Sequence, residues 1–324
     1  MIRLIINADD FGLTHGVNRA VGELHEAGVL TSATLMANAG SFDEAVSIAQ
    51  RLPALGVGCH VVLVDGCPVS EPSNVPTLIG PDGRCFHATL GRFVRALLLG
   101  RIDPDDIARE ATAQIGRLQQ AGIEVTHLDT HKHTHLFPAV LTLLLKVAKE
   151  HSIAAVRNPF EPAWSLKATG GGLVRRAEIG ILGKYENSFW KAVHDSGCAT
   201  TDGALGILAT GTLDGDAIER LLNAVPGKTG PGKTGPETTG PGNTWELVCH
   251  PGHIDDALHA VNTRLRRSRE IERDALMTVF ADLNLNHPGI ELINYRDLLS
   301  RPADALRSGR EQVAGHESES GGKL

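Results

Sequence analysis

The chain has 324 residues, long enough for one large core or two medium ones. Its 42% hydrophobic and 21% charged residues are typical of a globular protein. A net charge of −7, a pI near 6.1 and the lack of a basic stripe argue against a nucleic-acid partner.

Apolar periodicity predicts strands and helices in alternation. The strand patterns in chain order are RLIINA, TSATLMAN, GVGCHVVLV, IEVTHLD, IAAVRNP and WELVCH. Helical patterns follow most of them, among them HGVNRAVGELHEAGV, FDEAVSIAQRL and FPAVLTLLLKVAKEH. Repeated β–α units predict a parallel sheet, open or closed into a barrel, with ligands bound at the carboxyl ends of its strands.

Three segments depart from this alternation. The Gly/Pro-rich loop 65–88 is too long for a plain connection. Residues 227–244 form a near-perfect pentapeptide repeat of Gly, Pro, Thr and Lys, which predicts a disordered loop. The tail 301–324 is also predicted to be disordered. We therefore expect a single domain over residues 1–300.

The cysteines and the N-terminus bear on the compartment. Five cysteines, an odd number without a CxxC pair, make a poor disulfide framework and favour a reducing cytoplasm. The N-terminal stretch MIRLIINADDFG has no signal-peptide core, and we find no segment that could span a membrane. A lipid-borne substrate, and with it a peripheral membrane contact, stays open.

The stretch HLDTHKHTH has a histidine or aspartate at every second position from 127 to 135. On one strand these side chains would share a face but start about 7 Å apart, whereas a metal needs each ligand atom within roughly 2.0–2.2 Å. The stretch can therefore supply one or two ligands. Packing alone gives no reason for four imidazoles here, which favours a metal or catalytic role, with His127 and His135 the best candidates for structural residues.

Other polar residues also stand at strand ends. Asp9 and Asp10 follow the first strand, His60 lies in the third, and His250 ends the last one. Each has a plainer interpretation: the aspartates could cap the next helix, His60 could be a hydrogen-bonded core residue, and His250 could belong to a turn. In a parallel α/β fold, however, these strand ends converge on one face.

Such a set has a chemical use. Adjacent carboxylates could serve one as a metal ligand and the other as a base for water bound to the metal. Two histidines and one carboxylate leave coordination positions open, which indicates a hydrolase or an oxygenase and not a closed structural zinc site.

The motifs carry a family resemblance. In chain order, NADDFGLTHGVNRA, TSATLMAN, GVGCHVVLVDGCP, THLDTHKHTHLFP, VRNP and ELVCHPG resemble the YdjC-type, or ChbG-like, carbohydrate deacetylases. The GVGCHVVLVDG stretch and the Trp/Gly-rich middle are more similar to the hopanoid-biosynthesis branch, HpnK, than to the chitooligosaccharide branch. The resemblance implies a distorted (β/α) barrel with parallel strands and outer helices.

The resemblance also implies roles for single residues. One divalent ion, Mg or Zn, would be bound by Asp10, His60 and His131. Asp9 would be the general base and His250, protonated, the general acid. The residues that would bind or orient the substrate or the base are Arg157, His133 and Asp129, and His133 competes with His131 as a metal ligand.

These expectations predict a metal-dependent hydrolase that removes the N-acetyl group from an N-acetylglucosamine unit borne by a hopanoid glycolipid. Deacetylation of soluble chitooligosaccharides is the near alternative. A non-catalytic metal- or sugar-binding protein of the same fold is a further one, although binding alone needs neither the base nor the acid. Relatives suggest a homodimer.

Overall fold

The computed structural model describes residues 1–169, 183–225 and 243–299. These residues form a seven-stranded sheet in which every strand pair is parallel. The strands are β1 (Ile2–Phe11), β2 (Ser32–Leu35), β3 (Gly56–Val61), β4 (Val125–Thr130), β5 (Gly203–Leu205), β6 (Thr244–Cys249) and β7 (Ile290–Leu292). Their order is β4-β3-β2-β1-β6-β5, with β7 paired to the start of β1.

The two outer strands, β4 and β5, are joined through the extended segment 154–160. The backbone N–H of Arg157 donates to the carbonyl of Leu128 in β4, and the N–H of Ala204 in β5 donates to the carbonyl of Phe160. The sheet thus curls into an irregular ring. The predicted distorted (β/α) barrel is confirmed.

Helices connect the strands and surround the sheet. They are α1 (His15–Glu26), α2 (Phe42–Arg51), α3 (Leu90–Leu98), α4 (Pro104–Gln120), α5 (Pro138–Glu150), α6 (Ala163–Thr169), α7 (Glu186–Ser196), α8 (Gly215–Ala224), α9 (Asp256–Ala260), α10 (Arg267–Phe280) and α11 (Leu283–Asn286). Apolar faces of the longer helices join the strand residues in one main core. Short 3-10 turns cover Pro72–Asn74, His131–Leu136, Gly183–Tyr185 and Asp297–Leu299.

Two of the predicted strands differ from the strands in the structure. Strand β4 stops at Thr130, and the next histidines lie in a 3-10 turn in which Lys132 and His133 have positive φ. The pattern IAAVRNP forms only isolated bridges, at Ala155 and Val156, because it serves as the narrow link across the barrel.

The loop 65–88, called the flap below, is more ordered than its composition predicts. The N–H of Phe86 donates to the carbonyl of Gly66, and the N–H of Asp65 donates to the carbonyl of His87, so the two ends pair as an antiparallel neck. This pairing brings Cys67 and Cys85 together in a disulfide. The expectation of no disulfide is therefore wrong, because backbone pairing and not cysteine spacing brings the two thiols together.

Several sequence predictions fall outside the described residues. They concern the tail 301–324 and the repeat 227–244, apart from Asn243 and Thr244, where strand β6 begins. Within the described ranges, no helix has both the length and the apolar character required to cross a bilayer. The cytoplasmic location and the homodimer remain predictions.

Candidate metal and catalytic site

A cavity of about 1270 Å³ opens at the carboxyl ends of the strands. Its polar wall includes Asp9 and Asp10 from β1, His60 from β3 and His250 after β6. His131 and His133 reach it from the turn after β4. The parallel sheet thus gathers at one face residues that lie as much as 241 positions apart in the chain.

The neighbouring aspartates both face this cavity. In a regular strand they would point to opposite faces, but Asp10 has φ +63° and the pairing of β1 with β2 shifts register between Ala8 and Phe11. Aspartate tolerates this left-handed conformation better than most residues. Neither aspartate caps α1, since Thr14 does so by accepting from the N–H of Val17.

Asp10, His60 and His131 form a compact cluster. The Oδ1 atom of Asp10 lies 3.7 Å from Nε2 of His60 and 3.5 Å from Nδ1 of His131, and the three ligand atoms lie within 4.8 Å of one another. The side chain of His131 is 20% exposed, while the other two are almost fully buried. Burial opposes the charge on Asp10, but Arg269 and His131 hold the pKa of its carboxyl well below the usual range.

Asp129 stands behind His60. Its Oδ1 lies 2.8 Å from Nδ1 of His60, and the hydroxyl of Thr34 lies 3.2 Å from the same nitrogen. Burial lowers the pKa of His60, yet the neighbouring Asp129 outweighs it and raises the pKa to about 9. The contact directs Nε2 of His60 toward Asp10.

Arg157 is a fully buried cation surrounded by carboxylates. It binds Asp9 with two hydrogen bonds, Nη2 to Oδ1 at 2.6 Å and Nη1 to Oδ2 at 2.9 Å. It also pairs with Asp129 and donates from Nη2 to Glu246 at 2.7 Å. Burial alone would raise the pKa of Asp9, but Arg157 holds it well below its usual range. Asp9 is therefore an oriented anion.

His250 lies beside Asp9, with its Nε2 3.8 Å from Oδ2 of the carboxylate. Its Nδ1 is buried and has no hydrogen-bond partner among the described residues. Burial lowers the pKa of His250 to about 4. Burial thus favours the neutral imidazole, and the role of His250 as general acid stays a prediction.

The other histidines of HLDTHKHTH have distinct surroundings. His127 is buried and stacks on Tyr295 with 3.7 Å between ring centres, and His135 contacts Thr130 through Nδ1 at 2.7 Å. His133 lines the cavity but is outside the cluster around Asp10, and burial lowers its pKa to about 3. The structure thus brings His131, and not His133, to Asp10.

Helix α10 supplies two site residues that the sequence did not reveal. Arg269 donates from Nη2 to Oδ2 of Asp10 at 2.5 Å, and Glu272 accepts a hydrogen bond from the backbone N–H of His250 at 2.6 Å. Both are buried. In the sequence they look like the charges of an exposed helix face, so no local signal marks them.

The fold and this site define a parallel (β/α) barrel with a cluster of carboxylates and imidazoles at its active face. The chain belongs to the family described as YdjC-like protein, whose model matches residues 3–281. The predicted family is therefore confirmed, while the matches do not distinguish its hopanoid-associated branch.

Named relatives agree with this assignment. A carbohydrate deacetylase of Clostridium beijerinckii is 29% identical over 92% of this chain and all of its own length. A carbohydrate deacetylase of Brevibacillus brevis is 45% identical, and a chitooligosaccharide deacetylase of Salmonella typhimurium 40% identical. These two matches cover 49% and 47% of this chain and 60% and 57% of the relatives. The names of these relatives confirm the expected enzyme class, carbohydrate deacetylase.

One solved structure is similar over nearly the whole chain. It is a crystal structure from Enterococcus faecalis, provisionally described as a cellobiose-phosphate cleavage protein, with a TM-score of 0.70 and 24% identity. The match covers 92% of this chain and 98% of that one. At this identity the likeness supports the fold alone.

Proposed function

We propose that this chain is a metal-dependent N-deacetylase that hydrolyses the acetamide of an N-acetylglucosamine unit, most favourably one carried by a hopanoid glycolipid. The observation that carries the proposal is the meeting of an Asp–His–His cluster with Asp9 and His250 in one cavity. Binding alone would need neither Asp9 nor His250.

The geometry of the cluster fits a divalent ion. A tetrahedral ion with ligands at about 2.1 Å places neighbouring ligand atoms roughly 3.4 Å apart. The distances of 3.5 and 3.7 Å from Oδ1 of Asp10 to the two imidazoles are close to this value. Two imidazoles favour Zn, Co or Ni, while the carboxylate also admits Mg or Mn, so Mg and Zn both stay candidates.

The residues around the cluster supply the other parts of an amide hydrolysis. A divalent ion bound there would polarise the acetyl carbonyl and lower the pKa of water toward neutrality. Arg157 holds both oxygens of Asp9, which fixes the carboxylate to accept the proton of the attacking water.

His250 is suited to deliver that proton. Burial keeps its imidazole neutral, and Nε2 lies 3.8 Å from Asp9. We propose that His250 gains its proton during the reaction and donates it to the departing sugar amine, which leaves poorly as an anion.

The cavity wall favours an amphiphilic substrate. The cavity is also lined by Leu136, Phe137, Phe160 and Leu166, and by Lys132, which pairs with Asp65 of the flap. Such a wall would accommodate an apolar aglycone next to the sugar. It supports the hopanoid glycolipid, and a peripheral membrane contact, over a soluble chitooligosaccharide.

The test is acetate release by metal-reconstituted protein. N,N'-diacetylchitobiose and an N-acetylglucosaminyl hopanoid are offered side by side, with Asp9→Asn as the matched variant. Release from the hopanoid alone, lost in Asp9→Asn although the metal is retained, is the expected result. Release from chitobiose alone would assign the soluble substrate. Release from neither at full metal occupancy would overturn the proposal in favour of a binding protein.

A further inference from the structure

Arg269 is a buried cation, and one nitrogen of its guanidinium group has no hydrogen-bond partner among the described residues. Its side chain is 1% exposed, Nε donates to the carbonyl of Leu265 at 3.1 Å, and Nη2 donates to Oδ2 of Asp10. Nη1 is also buried but has no hydrogen-bond partner among the described residues. The side chain lines the cavity next to the Asp10 cluster.

The contact with Asp10 explains Nη2 of Arg269 but leaves Nη1 without an acceptor. A buried guanidinium N–H without an acceptor is unfavourable, so such a group is expected to meet a ligand or a water. A fixed positive charge beside Asp10 also repels a divalent ion at the cluster and therefore weakens its binding.

The backbone at Gly252 packs closely against Arg269. A Cβ atom on Gly252 would lie 3.1 Å from Cδ of Arg269, and the N–H of Gly252 donates to the carbonyl of Arg269. The CHPG turn that carries His250 therefore packs against the stem of Arg269.

We infer that Arg269 binds substrate, with Nη2 holding Asp10 to a single free oxygen and Nη1 donating a hydrogen bond to the acetyl oxygen. This role rests on the proposed deacetylation. In that reaction the oxygen of water bonds to the acetyl carbon, the C–N bond breaks with its electron pair going to nitrogen, and nitrogen takes a proton. Negative charge develops on the acetyl oxygen in between, and a fixed guanidinium donor stabilises it.

The test compares Arg269→Lys with Arg273→Lys, the matched change one turn along α10. Arg273 pairs with Asp274 and His253 and does not line the cavity. A lysine at position 269 keeps the positive charge and one donor for Asp10 but lacks a second donor in the place of Nη1. We expect kcat to fall roughly 10²–10³-fold, as for loss of one oxyanion donor, with an unchanged metal Kd by calorimetry. Arg273→Lys should keep the wild-type kcat.

Several outcomes decide the matter. A wild-type kcat in Arg269→Lys, or a loss that disappears at saturating metal, would overturn the substrate role. If Arg269→Lys folds poorly by circular dichroism, Arg269→Ala is assayed with added guanidinium, and an increase in kcat absent from Arg273→Ala is expected. A lack of such rescue would count against the role. No acetate release by the wild-type protein would instead overturn the proposed function.

Discussion

Asp129 holds His60 by a contact of 2.8 Å between Oδ1 and Nδ1, with both side chains buried. An ionised carboxylate can only accept a hydrogen bond, so Nδ1 of His60 keeps its proton, and Nε2, which faces Asp10, is the nitrogen that must lose a proton to bind an ion. Partners of this kind orient ligand imidazoles and increase their basicity. Asp129 thus determines which nitrogen His60 presents.

The first prediction concerns this contact. In Asp129→Asn, the amide no longer favours one tautomer of His60, so the metal Kd should increase about 10–100-fold. Calorimetric titration of the metal-free protein measures it. Glu110→Gln is the control, since Glu110 is a buried carboxylate that accepts from the N–H of Val69 and lies outside the cavity. A Kd for Asp129→Asn equal to that of the control would contradict the prediction.

The second prediction concerns Arg157. Its removal in Arg157→Met leaves Asp9, Asp129 and Glu246 buried without their cation, and breaking a buried ion pair in this way costs about 3–5 kcal/mol. Urea denaturation should therefore show a loss of this size. Arg157→Lys should retain more stability but little turnover, because an ammonium cannot hold both oxygens of Asp9. A free energy of unfolding for Arg157→Met equal to that of the wild type would contradict this prediction.

The third prediction concerns Glu272. Burial raises the pKa of its carboxyl from 4.5 to about 7, so the folded state binds a proton that the unfolded state releases between these values. Stability due to Glu272 is complete below pH 4.5 and is lost as the pH rises to 7, by about 3 kcal/mol at about 1.4 kcal/mol per pKa unit. The difference in free energy of unfolding between the wild type and Glu272→Gln should therefore decrease over this range. If urea denaturation gave the same difference in free energy of unfolding between the two proteins at every pH, the prediction would be wrong.

The fourth prediction concerns the flap. The Cys67–Cys85 disulfide closes the neck, and two residues of the neck, Asp65 and Gly66, line the cavity. The double variant Cys67→Ser/Cys85→Ser should be cleaved faster by protease within residues 68–84, since the cross-link restricts opening of this loop. Dithiothreitol should have the same effect on the wild type and none on the variant. Equal cleavage of all samples would show that the backbone pairing alone closes the neck.

The sequence predicted the barrel and most of the site for one physical reason. Parallel β–α units bring strand ends together, so Asp9, Asp10, His60 and His250 could be assigned to one face without knowledge of their distances. The choice between His131 and His133 could not be made, because it depends on a turn with two positive φ values. Arg269 was missed because a charge on an amphipathic helix does not indicate which way it faces.

The backbone at Asp10 has a consequence for protein engineering. The site is encoded partly in main-chain shape, since the left-handed residue and the shifted register of β1 allow two successive side chains to enter one cavity. Grafting Asp9, Asp10 and the histidines onto a regular barrel strand would separate the two carboxylates to opposite faces. A successful transplant must therefore carry the irregular strand end along with the side chains.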